Sequence, residues 1–64
     1  MEIKIMLGEI RAERGISLSK LSEMSGVSDT HINDIENGKY SPTITVICKI
    51  AKALDVKLDD LVKF

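Results

Sequence analysis

The chain has 64 residues, 44% of them hydrophobic, with a formal net charge of −1 and a pI of about 5.7. This composition excludes wholesale disorder, and the length suits one small domain over residues 1–64. No apolar run approaches the roughly 20 residues of a membrane span or resembles a signal peptide, and the lone cysteine, Cys48, excludes an intrachain disulfide. The sequence therefore predicts a cytoplasmic domain without a membrane partner.

The first predicted helix is amphipathic. Ile3, Leu7 and Ile10 recur at helical spacing with charged residues between them, and Gly15 marks the end of the helix.

Two further short helices are predicted around a glycine turn. Ser17 suits the N-cap of a helix over residues 18–24, and Gly26 suits its left-handed C-cap. Ser28 then caps a helix over residues 29–37. The inward residues of the two helices are Leu21, Ile32 and Ile35. Such spacing is typical of a helix-turn-helix, here over about residues 17–37.

A fourth helix opens at Ser41-Pro42-Thr43, and a short fifth helix contains Leu58 and Leu61. The predicted buried face of the fourth helix is Ile44, Ile47, Ile50, Ala51 and Leu54. Cys48, near this face, is expected to be a small apolar filler. No alternation is long enough for a sheet, so the predicted fold class is all-α, a compact domain of five helices.

The ordered pattern resembles the phage-repressor/Cro family of DNA-binding proteins, with its XRE-type helix-turn-helix, over about residues 7–61. The landmarks are Leu7, Ile10-Arg11, Arg14-Gly15-Ile16-Ser17, Leu21, Gly26-Val27-Ser28, Ile32, Ile35-Glu36-Asn37-Gly38-Lys39, Pro42, Ile50-Ala51-Lys52-Ala53-Leu54 and Leu58-Asp59-Asp60-Leu61. The resemblance implies a lambda-repressor-like domain whose third helix enters the major groove.

The resemblance also implies roles for single residues. Arg11 and Glu36 would form a partly buried ion pair within the scaffold. The positions expected to face base edges are Asp29, Thr30, Asn33 and Asp34. The positions expected near phosphates are Ser17, Ser28, His31, Asn37, Lys39, Tyr40 and Ser41. Leu18 departs from the family, which often has a phosphate-binding Gln at this position.

Several residues keep a second interpretation. Asp29 suits the positive end of a helix dipole as well as a cytosine N4 amino group. Asp34 is either solvent-exposed or a base reader that also rejects wrong sequences by repulsion. His31 is either a phosphate donor or an exposed polar residue. Lys39 and Tyr40 could form an ordinary polar loop. Thr30 suits a thymine methyl, and Asn33 suits a bidentate contact with adenine.

The leading functional hypothesis is a sequence-specific duplex-DNA-binding transcriptional regulator, expected to be a repressor. The alternative is a helix-turn-helix module for protein contact, with a toxin or regulatory protein as partner and weak or no DNA binding. Catalysis, a cofactor and a metal site lack support, because one His and one Cys provide neither a nucleophile-base set nor a zinc set. A homodimer is expected, with an interface at Leu61, Val62 and Phe64. The alternative role of Val62 and Phe64 is to close the core.

Overall fold

The computed structural model describes residues 2–64. Five helices follow one another along the chain: α1 (Leu7–Glu13), α2 (Leu18–Ser25), α3 (Asp29–Glu36), α4 (Ile44–Leu54) and α5 (Leu58–Leu61). Two short strands, β1 (Lys4–Ile5) and β2 (Val62–Lys63), flank them. The five predicted helices are confirmed, and their boundaries shift by a few residues.

Hydroxyl side chains start three of the helices. Ser17 Oγ accepts from the Lys20 N–H at 3.1 Å, and Ser28 Oγ accepts from the His31 N–H at 3.2 Å. Thr43 Oγ1 caps α4 in the same way, so Pro42 lies just outside the helix that it was predicted to open. Each cap satisfies a backbone donor that would otherwise lack a partner in the first turn.

The turn between α2 and α3 consists of Gly26, Val27 and Ser28. Gly26 has a φ of 76°, the left-handed conformation that glycine adopts without steric cost. Val27 is only 7% exposed and packs into the core beneath the turn. The left-handed conformation of Gly26 and the burial of Val27 together hold α3 against α2.

One hydrophobic cluster draws on all five helices. The buried members are Leu7, Leu21, Val27, Ile32, Ile35, Ile47, Ile50, Ala51, Leu54 and Leu61. α2 lies at the centre and contacts both α3 and α4. The core is aliphatic, as the scarcity of aromatic residues predicts.

The two strands correct the prediction that the chain forms no sheet. β1 and β2 pair in antiparallel orientation, with Lys4 opposite Lys63 and Ile5 opposite Val62. The Met6 N–H donates to the Leu61 carbonyl at 2.7 Å beside this ribbon. Ile3 precedes β1 and is 58% exposed, so it is not part of the first helix.

Burial predictions fail at three other positions. Ile44, at the first position of α4, is 73% exposed and lies outside the buried cluster. Cys48 is exposed and fills no gap. Leu61 is fully buried, so its side chain is unavailable to a dimer interface. Within residues 2–64, no helix is both long and apolar enough to cross a membrane.

Candidate nucleic-acid interface

α3 presents two different faces. Ile32 and Ile35 are 0% and 3% exposed and anchor the helix in the core. Thr30 and Asn33 are exposed, and Asp34 is half-buried. Because residues three and four apart share a helix face, Thr30, Asn33 and Asp34 form an outward polar stripe opposite the two isoleucines.

Asp29 stabilises the start of α3. Its Oδ1 accepts a hydrogen bond from the Thr30 N–H at 2.8 Å, and the carboxylate lies in the positively polarised first turn. This local role accounts for an acid at the position without requiring a base contact. The side chain is exposed, so its other carboxylate oxygen remains accessible.

The C-terminal end of α3 turns sharply into an exposed loop. Gly38 has a φ of 73°, and the Lys39 N–H donates to the Asp34 carbonyl at 2.9 Å. These features form a glycine C-cap that ends the helix and redirects the chain. The residues at and beyond this end that were expected near phosphates, namely Asn37, Lys39, Tyr40 and Ser41, are all exposed.

His31, expected as either a phosphate donor or an exposed polar residue, is not an exposed residue. The residue is half-buried, and its Nε2 atom is buried without a hydrogen-bond partner among residues 2–64. Its ring lies edge-to-face with Tyr40, with ring centroids 4.3 Å apart and an interplanar angle of 69°. His31 therefore contacts the loop beyond the helix, a relationship that the sequence did not indicate.

Arg11 and Glu36 form the ion pair that the resemblance implied. Arg11 Nε donates to Glu36 Oε2 at 2.7 Å, and Arg11 Nη2 donates to Glu36 Oε1 at 3.1 Å. The two side chains are 22% and 11% exposed. Glu36 thus belongs to the scaffold that holds α3 in place and does not belong to the outward polar stripe.

Residues 7–61 match the model of the helix-turn-helix family HTH_3. The chain belongs to this family. Its relatives include the HTH-type transcriptional regulator SutR of Escherichia coli (strain K12), 44% identical over 50 residues. They also include the uncharacterised HTH-type transcriptional regulator YgzD of Bacillus subtilis (strain 168), 37% identical over 59 residues.

Coverage of these relatives differs. The match takes in 92% of this chain and 89% of YgzD, but 78% of this chain and only 28% of SutR. The similarity to SutR therefore concerns a minor part of that regulator. Both relatives are named as HTH-type transcriptional regulators.

Two solved structures share the fold. An HTH_3 family transcriptional regulator from Vibrio cholerae superimposes with a TM-score of 0.80 at 38% identity, covering 83% of this chain and 30% of that one. The restriction-modification controller protein C.AhdI from Aeromonas hydrophila superimposes with a TM-score of 0.79 at 31% identity, covering 81% and 79%. The five-helix arrangement is thus that of HTH_3 regulators.

Within this helix-turn-helix domain, Leu18 has a packing role. It is half-buried at the first position of α2 and packs against the core. A side chain in this environment is suited to apolar contact and offers no hydrogen bond to a phosphate. Leu18 therefore adds core packing at a position where the family resemblance implied a phosphate-binding Gln.

β1, which precedes the part of the chain that matches HTH_3, brings Lys4 close to the candidate interface. Lys4 in β1 lines the same depression as Asn37, Tyr40 and Ser41. The ammonium group lies 3.9 Å from Glu9 Oε2, and the lysine side chain is 68% exposed. Sequence reasoning missed this cation because β1 reaches the loop through tertiary packing, which no local pattern indicates.

No group of three or more His, Cys, Asp or Glu side chains in the part of the chain that the structure describes could hold a metal ion. The site contains side-chain hydroxyls, two amides, two cations and two outward acids. Its polar groups suit hydrogen bonding to bases and phosphates.

Proposed function

We propose that this protein is a cytoplasmic transcriptional regulator that binds a specific duplex-DNA site with α3 in the major groove. The observation that carries the proposal is the division of α3, which buries Ile32 and Ile35 while exposing Thr30 and Asn33. A helix whose inner face packs into the core can present its outer side chains to base edges at fixed positions. Membership of the HTH_3 family, whose relatives are named as transcriptional regulators, supports this function.

Base recognition is assigned to the outward stripe and the first turn of α3. Asn33 can make a bidentate contact with adenine, and Thr30 can offer its methyl group to thymine. Asp29 and Asp34 can accept from the N4 amino group of cytosine, while both acids repel a misplaced phosphate. The proposed readout thus combines attraction to the correct bases with exclusion of other registers.

Phosphate contacts are assigned to the edges of α2 and α3. Lys39 supplies charge beyond α3, while Asn37, Tyr40 and Ser41 supply neutral hydrogen bonds. At the starts of α2 and α3, the cap hydroxyls of Ser17 and Ser28 accept from backbone N–H groups and retain a proton to donate. Unpaired first-turn N–H groups favour anions without adding formal charge, which suits a chain with a net charge of −1.

Repression is the proposed direction of regulation. A bound domain represses when it occupies DNA that another protein needs. Activation requires an additional favourable contact with the transcription machinery, whereas repression requires none. Repression through occupancy of the DNA site alone is therefore the simpler proposal.

A homodimer on a near-palindromic site is part of the proposal. A single small module buries only about 600–1,000 Å² on DNA, which limits its specificity. Of the three residues expected at the interface, Leu61 is excluded by burial, Val62 is half-buried in β2, and Phe64 is 87% exposed. The interface is therefore assigned to Phe64 and the outer surface of the ribbon, and sedimentation of the free protein and its DNA complex tests it. A monomer in both states would overturn the dimer.

Selection from a random duplex library, followed by affinity measurements at several salt concentrations, tests DNA recognition. The protein should enrich one motif, and log affinity should fall linearly with log salt. Asn33→Ala should relax the preference at one base pair. Lys39→Gln should weaken all sequences alike and reduce the salt slope by about 0.9. Lys57→Gln, which removes the same charge at the start of α5, is the matched control.

Failure to enrich a motif, together with a flat salt dependence, would overturn DNA regulation. The acids Asp29 and Asp34 and the core-packed Leu18 would then favour a helix-turn-helix module for protein contact, with a regulatory or toxin protein as partner.

A further inference from the structure

The His31–Tyr40 contact joins the proposed reading helix to the loop that follows it. His31 is the third residue of α3, and Tyr40 lies beyond Gly38, where the helix has ended. The ring centroids are 4.3 Å apart with an interplanar angle of 69°. Edge-to-face pairs of this kind have a preferred geometry, so α3 restricts the direction in which the loop tyrosine points.

The imidazole is poorly placed to bind a phosphate itself. Its Nε2 atom is buried and has no hydrogen-bond partner in the described chain. A phosphate could reach that nitrogen only if the ring moved away from its present surroundings. A buried polar atom without a partner calls for an explanation, and packing against Tyr40 supplies one.

Tyr40 is a residue whose contact with DNA would be strengthened if its side chain were restricted before binding. It lies in the loop between α3 and α4, where no helix constrains it, and it is 40% exposed. A free side chain loses rotamer freedom when it binds, whereas a preorganised one has already lost it. The His31 ring contacts Tyr40 on one side, and Tyr40 remains 40% exposed.

We propose that His31 is a positioning residue, which holds the Tyr40 ring so that the tyrosine hydroxyl donates a hydrogen bond to a DNA phosphate. His31 makes no phosphate contact of its own. The inference rests on the proposed DNA-binding function, and it replaces the direct phosphate contact that the sequence suggested for His31.

Three substitutions of His31 and one of Tyr40 separate the effect of ring packing from that of the imidazole nitrogens. His31→Phe keeps an aromatic ring beside Tyr40 and removes both imidazole nitrogens. His31→Leu keeps an apolar side chain and removes the aromatic ring, and His31→Ala removes most of the contact. Tyr40→Phe keeps the ring pair and removes only the hydroxyl that is proposed to meet the phosphate.

The test is a double-mutant cycle on the duplex enriched by the wild-type protein. His31→Ala should weaken binding about three- to tenfold, the scale of one aromatic pair. His31→Phe should remain within about twofold of wild type, and His31→Leu should fall between them. In the Tyr40→Phe background, His31→Ala should have no further effect, because the hydroxyl being positioned is absent.

Two results overturn the positioning role while DNA recognition stands. The first is a loss in His31→Phe as large as that in His31→Ala. The second is a full additional effect of His31→Ala in the Tyr40→Phe background. The first result would mean that the imidazole nitrogens and not the aromatic ring matter, and the second that His31 acts on DNA independently of the tyrosine hydroxyl. Failure of the wild-type protein to enrich any duplex is a separate result, which removes the proposed function and this inference together.

A measurement on the free protein gives a second readout. Tyr40 is the only tyrosine, so its ring signals in an NMR spectrum can be assigned without ambiguity. His31→Ala should shift and average these signals, while His31→Phe should keep them dispersed. Identical Tyr40 signals in wild type and His31→Ala would overturn the inference. Urea titration of each variant separates loss of contact from loss of fold.

Discussion

Arg11 and Glu36 join α1 to α3 through two hydrogen bonds, one of 2.7 Å from Nε and one of 3.1 Å from Nη2. Arg11 Nη1 also donates to the Ile16 carbonyl at 2.9 Å, which ties down the chain between α1 and α2. The hydrogen bond to Glu36 raises the pKa of Arg11 above its ordinary value. Arg11 is therefore charged throughout the neutral range, and the stability that its raised pKa contributes is lost only as the pH rises through that pKa.

Arg11→Met should lower the free energy of unfolding by about 2–5 kcal/mol, because it leaves the Glu36 carboxylate without its partner while the side chain is only 11% exposed. Urea unfolding followed by circular dichroism measures the change. Arg14→Met is the matched control, since Arg14 is exposed and its loss should cost under about 0.5 kcal/mol. Equal effects of the two variants would show that the Arg11–Glu36 pair contributes little.

Gly8→Ala should raise the free energy of unfolding by about 0.5–1 kcal/mol, because alanine favours a helix more than glycine does. An added Cβ would meet the Glu36 side chain at 3.6–3.8 Å, which is ordinary contact. Gly26→Ala provides the contrast, since its φ of 76° strains any side chain and should make that variant less stable. A destabilised Gly8→Ala would mean that the added methyl disturbs the Arg11–Glu36 pair.

The helices were predictable because their signals are local. Ser17 and Ser28 provide caps, Gly26 and Gly38 provide stops, and each signal lies within a few residues of the backbone that it controls. The Arg11–Glu36 pair is not local, and it was predictable only through the family resemblance.

The ribbon was not predictable, because strands of two residues contain too little alternation to recognise. Its pairing of Lys4 with Lys63 joins opposite ends of the chain, so no sequence window contains both strands. The same non-local packing buries Leu61 and brings Lys4 to the candidate interface. The His31–Tyr40 contact depends on the path of the loop after Gly38, which composition does not determine.

Asp55 should respond in opposite directions to two substitutions. It is the C-cap of α4 and has a φ of 57°, a left-handed conformation that L-residues adopt at a cost. Asp55→Gly should raise the free energy of unfolding by about 0.5–1 kcal/mol, and Asp55→Val should lower it by about 1–2 kcal/mol. The residue is exposed, so neither change removes core packing. Thermal unfolding of both variants measures the effect, and an equal loss in both would show that conformation does not limit this position.

Leu18→Gln should lower the free energy of unfolding and raise the affinity for DNA. Loss of a half-buried leucine from the core surface should cost about 1 kcal/mol of folding free energy. A glutamine amide at the start of α2 can donate to a phosphate and should tighten binding roughly two- to tenfold. Leu18→Met is the control, because it keeps apolar packing without adding a donor. Unchanged DNA affinity in Leu18→Gln would place this position away from the phosphate backbone.

Asp34→Asn tests whether an acid on the outward stripe shapes DNA specificity. Asp34 is half-buried on α3, and replacing its charge with a neutral amide removes repulsion from nearby phosphates. Affinity for random duplex should therefore rise roughly two- to fivefold, the scale of one Coulomb interaction near 1 kcal/mol in water. If Asp34 also accepts from a cytosine, the preference for the selected motif over random duplex should fall.

Glu13→Gln makes the same change of charge at the C-terminal end of α1, beside Val56 and Asp60 and away from the outward stripe of α3. Competition binding with the selected motif and random duplex gives both affinities for each variant. A general charge effect would move Asp34→Asn and Glu13→Gln alike and leave the preference intact. A loss of preference confined to Asp34→Asn would assign this acid a direct part in rejecting the wrong sequence, because a charge that acts only on phosphates cannot discriminate between duplexes with the same phosphate backbone.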